Sequence, residues 1–380
     1  MRILFTFAGG SGHLLPLVPI ARSAGSAGHV VAVAGRPSHA PEIEALGFTA
    51  LPIGSDADTP DVRTPLRPLN PRREDRVLRE GFARRVARER AAALLPLAEE
   101  WRPDVLVCDE TDFGAMIAAE RLELPHAIVR VIAAGSFARR SVVAGPLAEL
   151  RAEHGLPPDP DLAMLDRDLV LSPFPPSFRD PAFPVSATTH AIRPAAPEPL
   201  DSTVPPWLDE LGTPTVYVTL GTVFNLESGD LFERVVAGVG ALPVDVVVTV
   251  GRQINPAELG PLPPRARVER YVPQAALLPR CDLVVCHGGS GSVIGALAHG
   301  LPLVVIPMGA DQPMNAARCE ALGVGRVLDT LESTPQDVGA AVSAVLHDPA
   351  YRLAAERIRD EIATLPGSEH AVTLLEGLAG

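Results

Sequence analysis

Lysine is absent from this 380-residue sequence, so all 33 basic residues are arginines. The absence excludes a Walker-type phosphate loop, in which a lysine reaches the phosphates. It also excludes every mechanism that depends on a Schiff-base lysine, pyridoxal phosphate chemistry included. We attribute the absence itself to the codon usage of a GC-rich genome.

Cysteine and long apolar runs are also scarce. The chain has four cysteines without any paired CxxC spacing, at Cys108, Cys281, Cys286 and Cys319. This pattern predicts buried free thiols in a reducing compartment and indicates neither a disulfide framework nor a zinc site. No apolar run approaches the about 20 residues that span a bilayer, and the chain starts with a strand-like RILFTF instead of an export segment. We therefore expect a cytoplasmic protein without integral membrane association.

Positive charge is in deficit, because 46 acidic residues outnumber the 33 arginines and leave a formal net charge of -13. Proteins bind a nucleic-acid backbone largely by neutralising its phosphates with basic side chains. We therefore expect no nucleic-acid partner for so acidic a chain.

Hydrophobic residues make up 47% of the chain, and at about 100–200 residues per domain its length predicts two domains. Short β-branched runs, apolar on both faces, alternate with segments of helical spacing, which is typical of a parallel sheet covered by helices. We predict an α/β fold. The expected strands lie near residues 3–7, 30–34, 105–108, 127–131, 216–220, 244–250, 283–286 and 303–306, and helices near 14–26, 114–121, 231–241 and 292–299.

Proline marks two irregular segments. Residues 181–206 are expected to avoid helix and sheet and to link the halves, which places the domains at residues 1–200 and 201–380. Residues 56–71 are expected to form a mobile surface loop. Residues 72–90 hold eight arginines and four acidic residues. This mixture of signs favours a solvated helix with ion pairs over a face that touches a membrane or a partner.

Two glycine-rich turns, one in each half, lie between a predicted strand and a predicted helix. The first reads AGGSGH and ends at His13, and the second reads CHGGSGS from Cys286 to Ser292. Glycines let backbone N–H groups approach an anion, and a helix N-terminus adds about half a positive charge there. Such a turn can hold a pyrophosphate without lysine, with His287 adding a donor or a positive charge. Both turns lie at the carboxyl ends of strands, where ligands bind in doubly wound sheets.

The stretch around the second turn carries the most specific pattern. Residues 269–325 read ERYVPQAALLPRCDLVVCHGGSGSVIGALAHGLPLVVIPMGADQPMNAARCEALGVG. This stretch resembles, almost without gaps, the nucleotide-sugar-binding signature of the family-one glycosyltransferases of the GT-B fold. The resemblance is strongest to bacterial enzymes that transfer sugars from dTDP- or UDP-activated donors to natural-product aglycones.

The resemblance implies two Rossmann-like doubly wound parallel-sheet domains that face each other across a cleft. The acceptor would lie mainly against the first domain and the nucleotide sugar against the second, with the last helix, near residues 360–380, packing back on the first. The implied activity is inverting, metal-independent transfer of a sugar to a hydroxyl of a small-molecule aglycone, without a cofactor. The sugar, the base, the acceptor and the choice between oxygen and carbon stay open. So does the oligomeric state, for which a homodimer is one expectation.

The resemblance also assigns donor-binding roles to residues of the second half. Tyr271 would stack on the base and Val272 would read the base edge, while His287 and the turn after it would hold the diphosphate. Asp311 and Gln312 would bond the sugar hydroxyls. Tyr271 replaces the tryptophan of plant members, which leaves the choice between uracil and thymine open. The full set is Gly221, Thr222, Tyr271, Val272, Gln274, His287, Gly289, Ser290, Gly291, Ser292, Asp311, Gln312 and Asn315.

His13 ends the first glycine turn at the expected start of a helix, whose dipole would depress the pKa of its ring. A general base needs a neutral imidazole, and the catalytic base of the resembling family occupies this position. Asp109 follows the predicted strand 105–108 on the same rim, where the family places an aspartate that orients the histidine. Glu110 and Asp112 compete for that role, although Asp112 is also suited to cap the next helix.

Loops of the first half are expected to line the acceptor pocket, since loops commonly carry binding residues. Its walls are assigned to Gly12, Phe82, Met116, Arg130 and Phe137. Three Asp-x-Asp triplets, which hold a divalent ion in metal-dependent glycosyltransferases, begin at positions 56, 159 and 166. We interpret all three as solvated acids away from the glycine turns, so no metal site is predicted.

Three other classes of function are alternatives. A GT-B epimerase of nucleotide sugars would need no acceptor. A nicotinamide dehydrogenase is disfavoured, because neither glycine turn follows GxGxxG with an acidic residue about 20 positions further on. A non-catalytic GT-B auxiliary protein would have no use for His13 paired with Asp109.

Overall fold

A computed structural model describes residues 1–56, 62–195, 203–212, 214–222 and 224–380. Its framework is two sheets in which every described strand pair is parallel. The first contains β1 (Arg2–Thr6), β2 (Val30–Gly35), β3 (Thr49–Pro52), β4 (Val105–Asp109), β5 (His126–Val129), β6 (Leu169–Ser172) and β7 (Thr189–Ala191). The second contains β8 (Thr215–Thr219), β9 (Asp245–Thr249), β10 (Ala266–Glu269), β11 (Leu283–Cys286), β12 (Leu303–Val305) and β13 (Gly325–Val327).

Helices connect the strands. They are α1 (Ser11–Leu14), α2 (Val18–Ser26), α3 (Ala40–Ala45), α4 (Pro71–Arg76), α5 (Ala87–Trp101), α6 (Phe113–Arg121), α7 (Arg140–Glu153), α8 (Leu231–Gly240), α9 (Gln274–Leu277), α10 (Ser290–Ala298), α11 (Gln312–Ala321), α12 (Pro335–His347), α13 (Pro349–Thr364) and α14 (Ser368–Ala379). A π-helical stretch, Val77–Val86, joins α4 to α5. No helix among the described residues is long and apolar enough to cross a membrane.

The strand order creates one crevice in each sheet. The first sheet runs β3-β2-β1-β4-β5-β6-β7 and the second β10-β9-β8-β11-β12-β13. The direction of winding therefore reverses between β1 and β4, and again between β8 and β11. In doubly wound sheets ligands bind at such reversal points, at the carboxyl ends of the strands. Both glycine turns follow a strand that borders a reversal point.

The predicted α/β architecture is confirmed, and each predicted strand is present with its ends shifted by at most two residues. The prediction missed β3, β6, β7, β10 and β13. Four of these strands form the sheet edges, where one side is unpaired and a continuous apolar run is not needed.

The segment expected to avoid sheet contains β7, so that expectation is wrong for residues 189–191. These three residues carry no proline, and an edge strand forms ladder hydrogen bonds on one side only. The expected domain boundary between residues 200 and 201 lies outside the described residues.

Apolar side chains cover both faces of each sheet. The face of the first sheet that holds Ile3 and Phe5 also packs Ala371, Val372 and Leu375 of α14. The core of the second half includes Ala355 and Ile358 of α13. The chain thus returns to the first half between its last two helices.

Residues 62–66 contact the second half instead of forming a free surface loop. Both terminal guanidinium nitrogens of Arg63 donate to Glu233 at 2.9 Å, and the Thr64 N–H donates to the Leu226 carbonyl at 2.7 Å. The expectation of a mobile loop is therefore wrong for these residues, while residues 57–61 lie outside the described part.

The segment after it carries the expected surface ion pairs, since Arg84 and Arg88 bond Glu149 and Glu153 of α7. The arginine at the end of residues 72–90 is buried, unlike the arginines before it, which are exposed or half-buried. Arg90 is 2% exposed and Asp112 is fully buried, and Arg90 Nη2 lies 2.8 Å from Asp112 Oδ2. Asp112 also accepts the Ala115 N–H and so caps α6.

Replacing Asp112 with alanine removes both the helix cap and the partner of a buried guanidinium. We expect Asp112→Ala to lower the free energy of unfolding by about 3–5 kcal/mol, as breaking a buried ion pair does. Urea unfolding followed by circular dichroism measures this loss. Glu153→Ala, which removes an exposed partner of Arg88, is the control and should change little. Equal effects of the two substitutions would contradict this interpretation.

Candidate active site

His13 lies in the glycine turn directly after β1. Its Nδ1 is 3.1 Å from Asp109 Oδ1 and 3.2 Å from Thr111 Oγ1. Phe82 stacks on the imidazole with ring centroids 5.8 Å apart. Gly9 allows this placement, since a Cβ there would lie 2.1 Å from His13 Cδ2. The side chain is 24% exposed, and the bond at Nδ1 leaves Nε2 as the nitrogen available for chemistry.

Asp109 ends β4 and is fully buried. Its Oδ2 accepts the Ala8 N–H at 2.6 Å, and its Oδ1 accepts the N–H and the hydroxyl of Thr111 at 2.7 and 2.6 Å. Burial by itself raises the pKa of Asp109, but the neighbouring His13 and these hydrogen bonds outweigh burial and lower that pKa. The carboxyl group is therefore ionised and aimed at the imidazole.

The two competing carboxylates point elsewhere. Asp112 is engaged by Arg90 and the start of α6, as described above. Glu110 Oε1 accepts the N–H groups of Val131 and Ile132, both at 2.7 Å. Asp109 is thus the carboxylate of this stretch that contacts His13.

The expectation that a helix dipole depresses the pKa of His13 is wrong. Burial does lower this pKa, but the charge and the hydrogen bond of Asp109 outweigh burial, and Asp311 and Glu110 act in the same direction, so the pKa rises above 6.5. α1 continues through the 3-10 turn Leu15–Leu17 into α2, and the Asp109 carboxylate in contact with the ring sets the direction of the shift. Asp311 belongs to the second half, so a charge of each half contributes to the pKa of this ring.

His287 follows β11 in the second glycine turn. Its ring lies between Gly221 and Gly289, because a Cβ at either position would be 2.5 Å from His287 Nε2. Gly221 has a φ of +77°, which glycine adopts without steric cost. Burial lowers the pKa of His287 to about 4. Of the two contributions expected from this ring, a donor or a positive charge, only the neutral donor remains at physiological pH.

Asp311 lies beside this turn and is held by two side chains. Its Oδ2 accepts hydrogen bonds from Ser290 Oγ and Asn315 Nδ2, both at 2.8 Å. Burial raises the pKa of Asp311, although these bonds oppose that effect. Asn315 also donates to the Gly288 carbonyl at 2.9 Å. The network fixes Asp311 relative to the glycine turn.

The same two side chains connect the turn to the first half. Ser290 Oγ accepts the Ala133 N–H at 2.9 Å, and Asn315 Oδ1 accepts the Ala134 N–H at 3.1 Å. Glu110 holds the preceding amides of this loop, so a continuous chain of hydrogen bonds runs from the end of β4 to Asp311.

Not every residue assigned to the donor faces the cleft. Asn315 is fully buried and Gln312 is 2% exposed, and Gln312 Oε1 accepts the N–H groups of Met308 and Gly309 at 2.7 and 3.2 Å. Gln312 thus holds the turn at Met308 and Gly309, and Asn315 holds the second glycine turn; their binding of the donor stays a prediction.

The remaining donor residues lie around the ends of the second sheet. Tyr271 is 46% exposed and Val272 is 1% exposed, so a ligand can reach the ring of the first but only the main chain of the second. Gln274 begins α9 and donates to Tyr217 Oη at 3.4 Å. Thr222 is exposed, as is Gly291 at the start of α10, while Ser292 is half-buried.

The acceptor assignments separate into two groups. Gly12 is exposed and a Cβ there would meet open space. Phe82 and Phe137 are half-buried, and Phe82 stacks on His13. Met116 is 1% exposed within the core of the first half. Arg130 is 8% exposed and pairs with Glu110 and Asp166. The assignments of Met116 and Arg130 to the pocket wall are therefore wrong, because other protein groups already enclose both side chains.

The Asp-x-Asp triplets do not form a metal site among the described residues, which contain no group of three or more metal-ligating side chains. Asp166 pairs with Arg130, Asp168 Oδ2 lies 3.0 Å from His126 Nδ1, and Asp159 accepts two backbone N–H groups. Asp161 and Asp168 are exposed and the Asp166 side chain is 39% exposed, so the interpretation as solvated acids holds for these three. It is wrong for Asp159, whose side chain is 7% exposed, and Asp58 lies outside the described part.

Sequence reasoning missed Thr111 and the loop amides of Ala133 and Ala134. A hydroxyl two residues after a strand-end aspartate is a local signal that could have indicated Thr111. Backbone amides carry no such signal, because any residue supplies one.

The erythromycin biosynthesis protein CIII-like C-terminal domain matches residues 233–378. The 4'-demethylrebeccamycin synthase of Lentzea aerocolonigenes is 32% identical to this chain, over 99% of each. The chain therefore belongs to the glycosyltransferases of antibiotic biosynthesis, which removes the dehydrogenase from the alternatives.

Two solved structures of natural-product glycosyltransferases are similar over nearly the full length. VinC in complex with dTDP is 27% identical with a TM-score of 0.80, covering 100% of this chain and 99% of that one. The spinosyn rhamnosyltransferase SpnG complexed with spinosyn aglycone is 27% identical with a TM-score of 0.83, covering 99% and 100%. These likenesses confirm the GT-B fold.

The pKa of His13 is directly measurable by NMR titration of its ring. We expect this pKa to lie above 6.5 in the unaltered chain and to fall in Asp109→Asn, because burial then acts without the opposing carboxylate. Asp161→Asn removes a distant carboxylate that is 85% exposed and should leave the titration unchanged. An identical His13 titration in the Asp109→Asn variant is the result that this account does not allow.

Proposed function

We propose that this chain transfers a sugar from a dTDP- or UDP-linked donor to a hydroxyl group of a natural-product aglycone, with inversion and without a metal ion. The observation that carries the proposal is the His13–Asp109 pair, which lies at the reversal point of the first sheet and within electrostatic reach of Asp311. In this proposal the general base and the donor-sugar residue would lie on opposite sides of one cleft.

The donor's diphosphate fits the second glycine turn. The first amides of α10 point outward from the helix N-terminus, and its dipole favours an anion there. His287 adds a neutral hydrogen-bond donor, and Tyr271 offers an exposed ring for the base. The dTDP bound to VinC and the thymidine diphosphate bound to SpnG support a thymidine-linked donor.

His13 Nε2 would take the proton of the acceptor hydroxyl as its oxygen attacks the anomeric carbon. The bond from that carbon to the diphosphate oxygen breaks on the opposite face, so a single displacement inverts the configuration. Asp109 stabilises the imidazolium that forms and, in the neutral ring, holds the proton on Nδ1, so that Nε2 is the nitrogen that accepts the proton. The turn amides and His287 stabilise the leaving diphosphate, the role that a metal ion has in other glycosyltransferases.

The acceptor would lie against the first half, beside the open space at Gly12 and the rings of Phe82 and Phe137. The aglycone complex of SpnG supports an aglycone as the acceptor class. Both aromatic rings suit a largely apolar molecule, since such rings bury apolar surface.

Loss of the base should affect turnover far more than donor binding. His13→Ala is expected to lower kcat by about 10²–10⁴, while the affinity for dTDP stays near that of the unaltered chain. Mass-spectrometric assays with dTDP- and UDP-sugars and a panel of aglycones measure the first, and calorimetry measures the second. His347→Ala, on an exposed helix end, is the control. Unchanged turnover would remove His13 from the mechanism.

Loss of His287 should weaken donor binding, whereas loss of His13 should mainly lower turnover. His287→Ala removes a donor from the diphosphate site, so we expect dTDP to bind about 10-fold more weakly, within the range for a hydrogen bond to a charged group. His299→Ala is the matched control. His299 lies at the C-terminal end of α10, the helix that follows the second glycine turn, and its ring bonds the Gly295 carbonyl. If calorimetry gives the same dTDP affinity for both variants, the diphosphate lies elsewhere.

A further inference from the structure

Glu74 of α4 reaches from the first half to the donor side of the cleft. Its Oε2 accepts the N–H of Ala310 at 3.2 Å, and its Oε1 accepts a bond from Arg73 Nε at 3.0 Å. The side chain is 17% exposed. Oε1 would also lie 3.7 Å from a Cβ at Gly309, which places the carboxylate over the turn that leads into Asp311.

Ala310 has a conformation that needs support. Its φ is +51°, in the left-handed region that residues with a Cβ rarely adopt. Such a conformation persists only where surrounding contacts fix it. Gln312 holds the Met308 and Gly309 amides from inside the second half, and Glu74 holds the Ala310 amide from the first half.

We propose that Glu74 is a positioning residue that fixes the turn at residues 308–311 and thereby sets Asp311 opposite His13. This inference rests on the proposed function for its catalytic consequence, because Asp311 is there the residue that binds the donor sugar. Without the carboxylate, the Ala310 peptide loses its bond partner and the turn can leave the left-handed conformation.

The helical segment that carries Glu74 also contacts the base. α4, the π-helical stretch and α5 follow one another without a break from Pro71 to Trp101. Phe82 on this segment stacks on His13, and Arg90 pairs with Asp112 three residues beyond Asp109. The segment therefore touches the donor turn at one end and the base further along.

The residues just before this helical segment are attached to the second half. Arg63 pairs with Glu233, and Thr64 forms main-chain hydrogen bonds with Leu226 and Gly229. Leu66 packs on the core of that half. Residues 62–90 thus contact both halves of the chain. Within this stretch, Glu74 bonds the N–H of Ala310, the residue before Asp311.

Two substitutions at Glu74 separate its hydrogen bond from its bulk. Glu74→Gln keeps an acceptor oxygen, whereas Glu74→Ala removes it. We expect amide hydrogen exchange of residues 309–312 to be faster in Glu74→Ala and near normal in Glu74→Gln. In sugar transfer, Glu74→Ala should raise the KM for the donor about 3–10-fold, as expected for one lost hydrogen bond, and leave the KM for the acceptor unchanged.

A second substitution tests the role of the backbone. Glycine adopts positive φ without a steric penalty, so Ala310→Gly in the Glu74→Ala chain should restore most of the donor KM. If Glu74 served only to stabilise the fold, Ala310→Gly would not restore the donor KM of the Glu74→Ala chain. Glu80→Ala is the control, because Glu80 lies on the same segment in an exposed pair with Arg79.

Exchange at residues 309–312 that is equally fast in Glu74→Ala, Glu80→Ala and the unaltered chain would overturn the inference, whatever the activity. Faster exchange in Glu74→Ala with an unchanged donor KM would also overturn it. If the unaltered chain transfers no sugar at all, the proposed function fails, while the exchange measurement still decides whether Glu74 holds the turn. Melting temperatures within a few degrees of each other establish that all variants are folded.

Discussion

The candidate site in the first half is organised around a buried negative charge, the carboxylate of Asp109. A charge without water is costly unless the protein supplies its hydrogen bonds. The amide of Ala8, the amide and hydroxyl of Thr111 and the ring of His13 supply them. All of these donors meet because β1 and β4 are neighbours at the reversal point of the sheet, and because Gly9 leaves space for the imidazole. The same arrangement that satisfies the charge also orients the histidine.

The two histidines of the cleft show how far surroundings decide the chemistry of one residue type. His13 is beside a carboxylate that outweighs its burial, so its pKa rises. His287 is buried between two glycines with no such carboxylate, and its pKa falls to about 4. One ring is thereby suited to accept a proton and the other to donate a hydrogen bond without carrying a charge.

The two halves form one site because hydrogen bonds cross between them. The loop after β5 is held by Glu110 on one side and by Ser290 and Asn315 on the other. The Asn315 side chain thus joins Asp311 to the first half. Burying its amide costs little here, because its donors and its carbonyl oxygen are all paired.

Local patterns in the sequence were sufficient for the central parallel strands, for both glycine turns and for the family. Strand periodicity and the steric need for glycine act over a few residues, so they can be read without coordinates. The family stretch at residues 269–325 likewise assigned His287 and Asp311 to parts of the same donor.

Only the tertiary structure decided which of three nearby acids contacts His13, in which direction the pKa values move, and that Met116 and Arg130 are enclosed rather than facing the cleft. It also decided that an arginine-rich helix reaches the donor turn through Glu74. Each of these outcomes depends on contacts between residues far apart in the chain. Residues far apart in the sequence become buried together, approach each other's charges and share hydrogen bonds only when the strands and helices are packed.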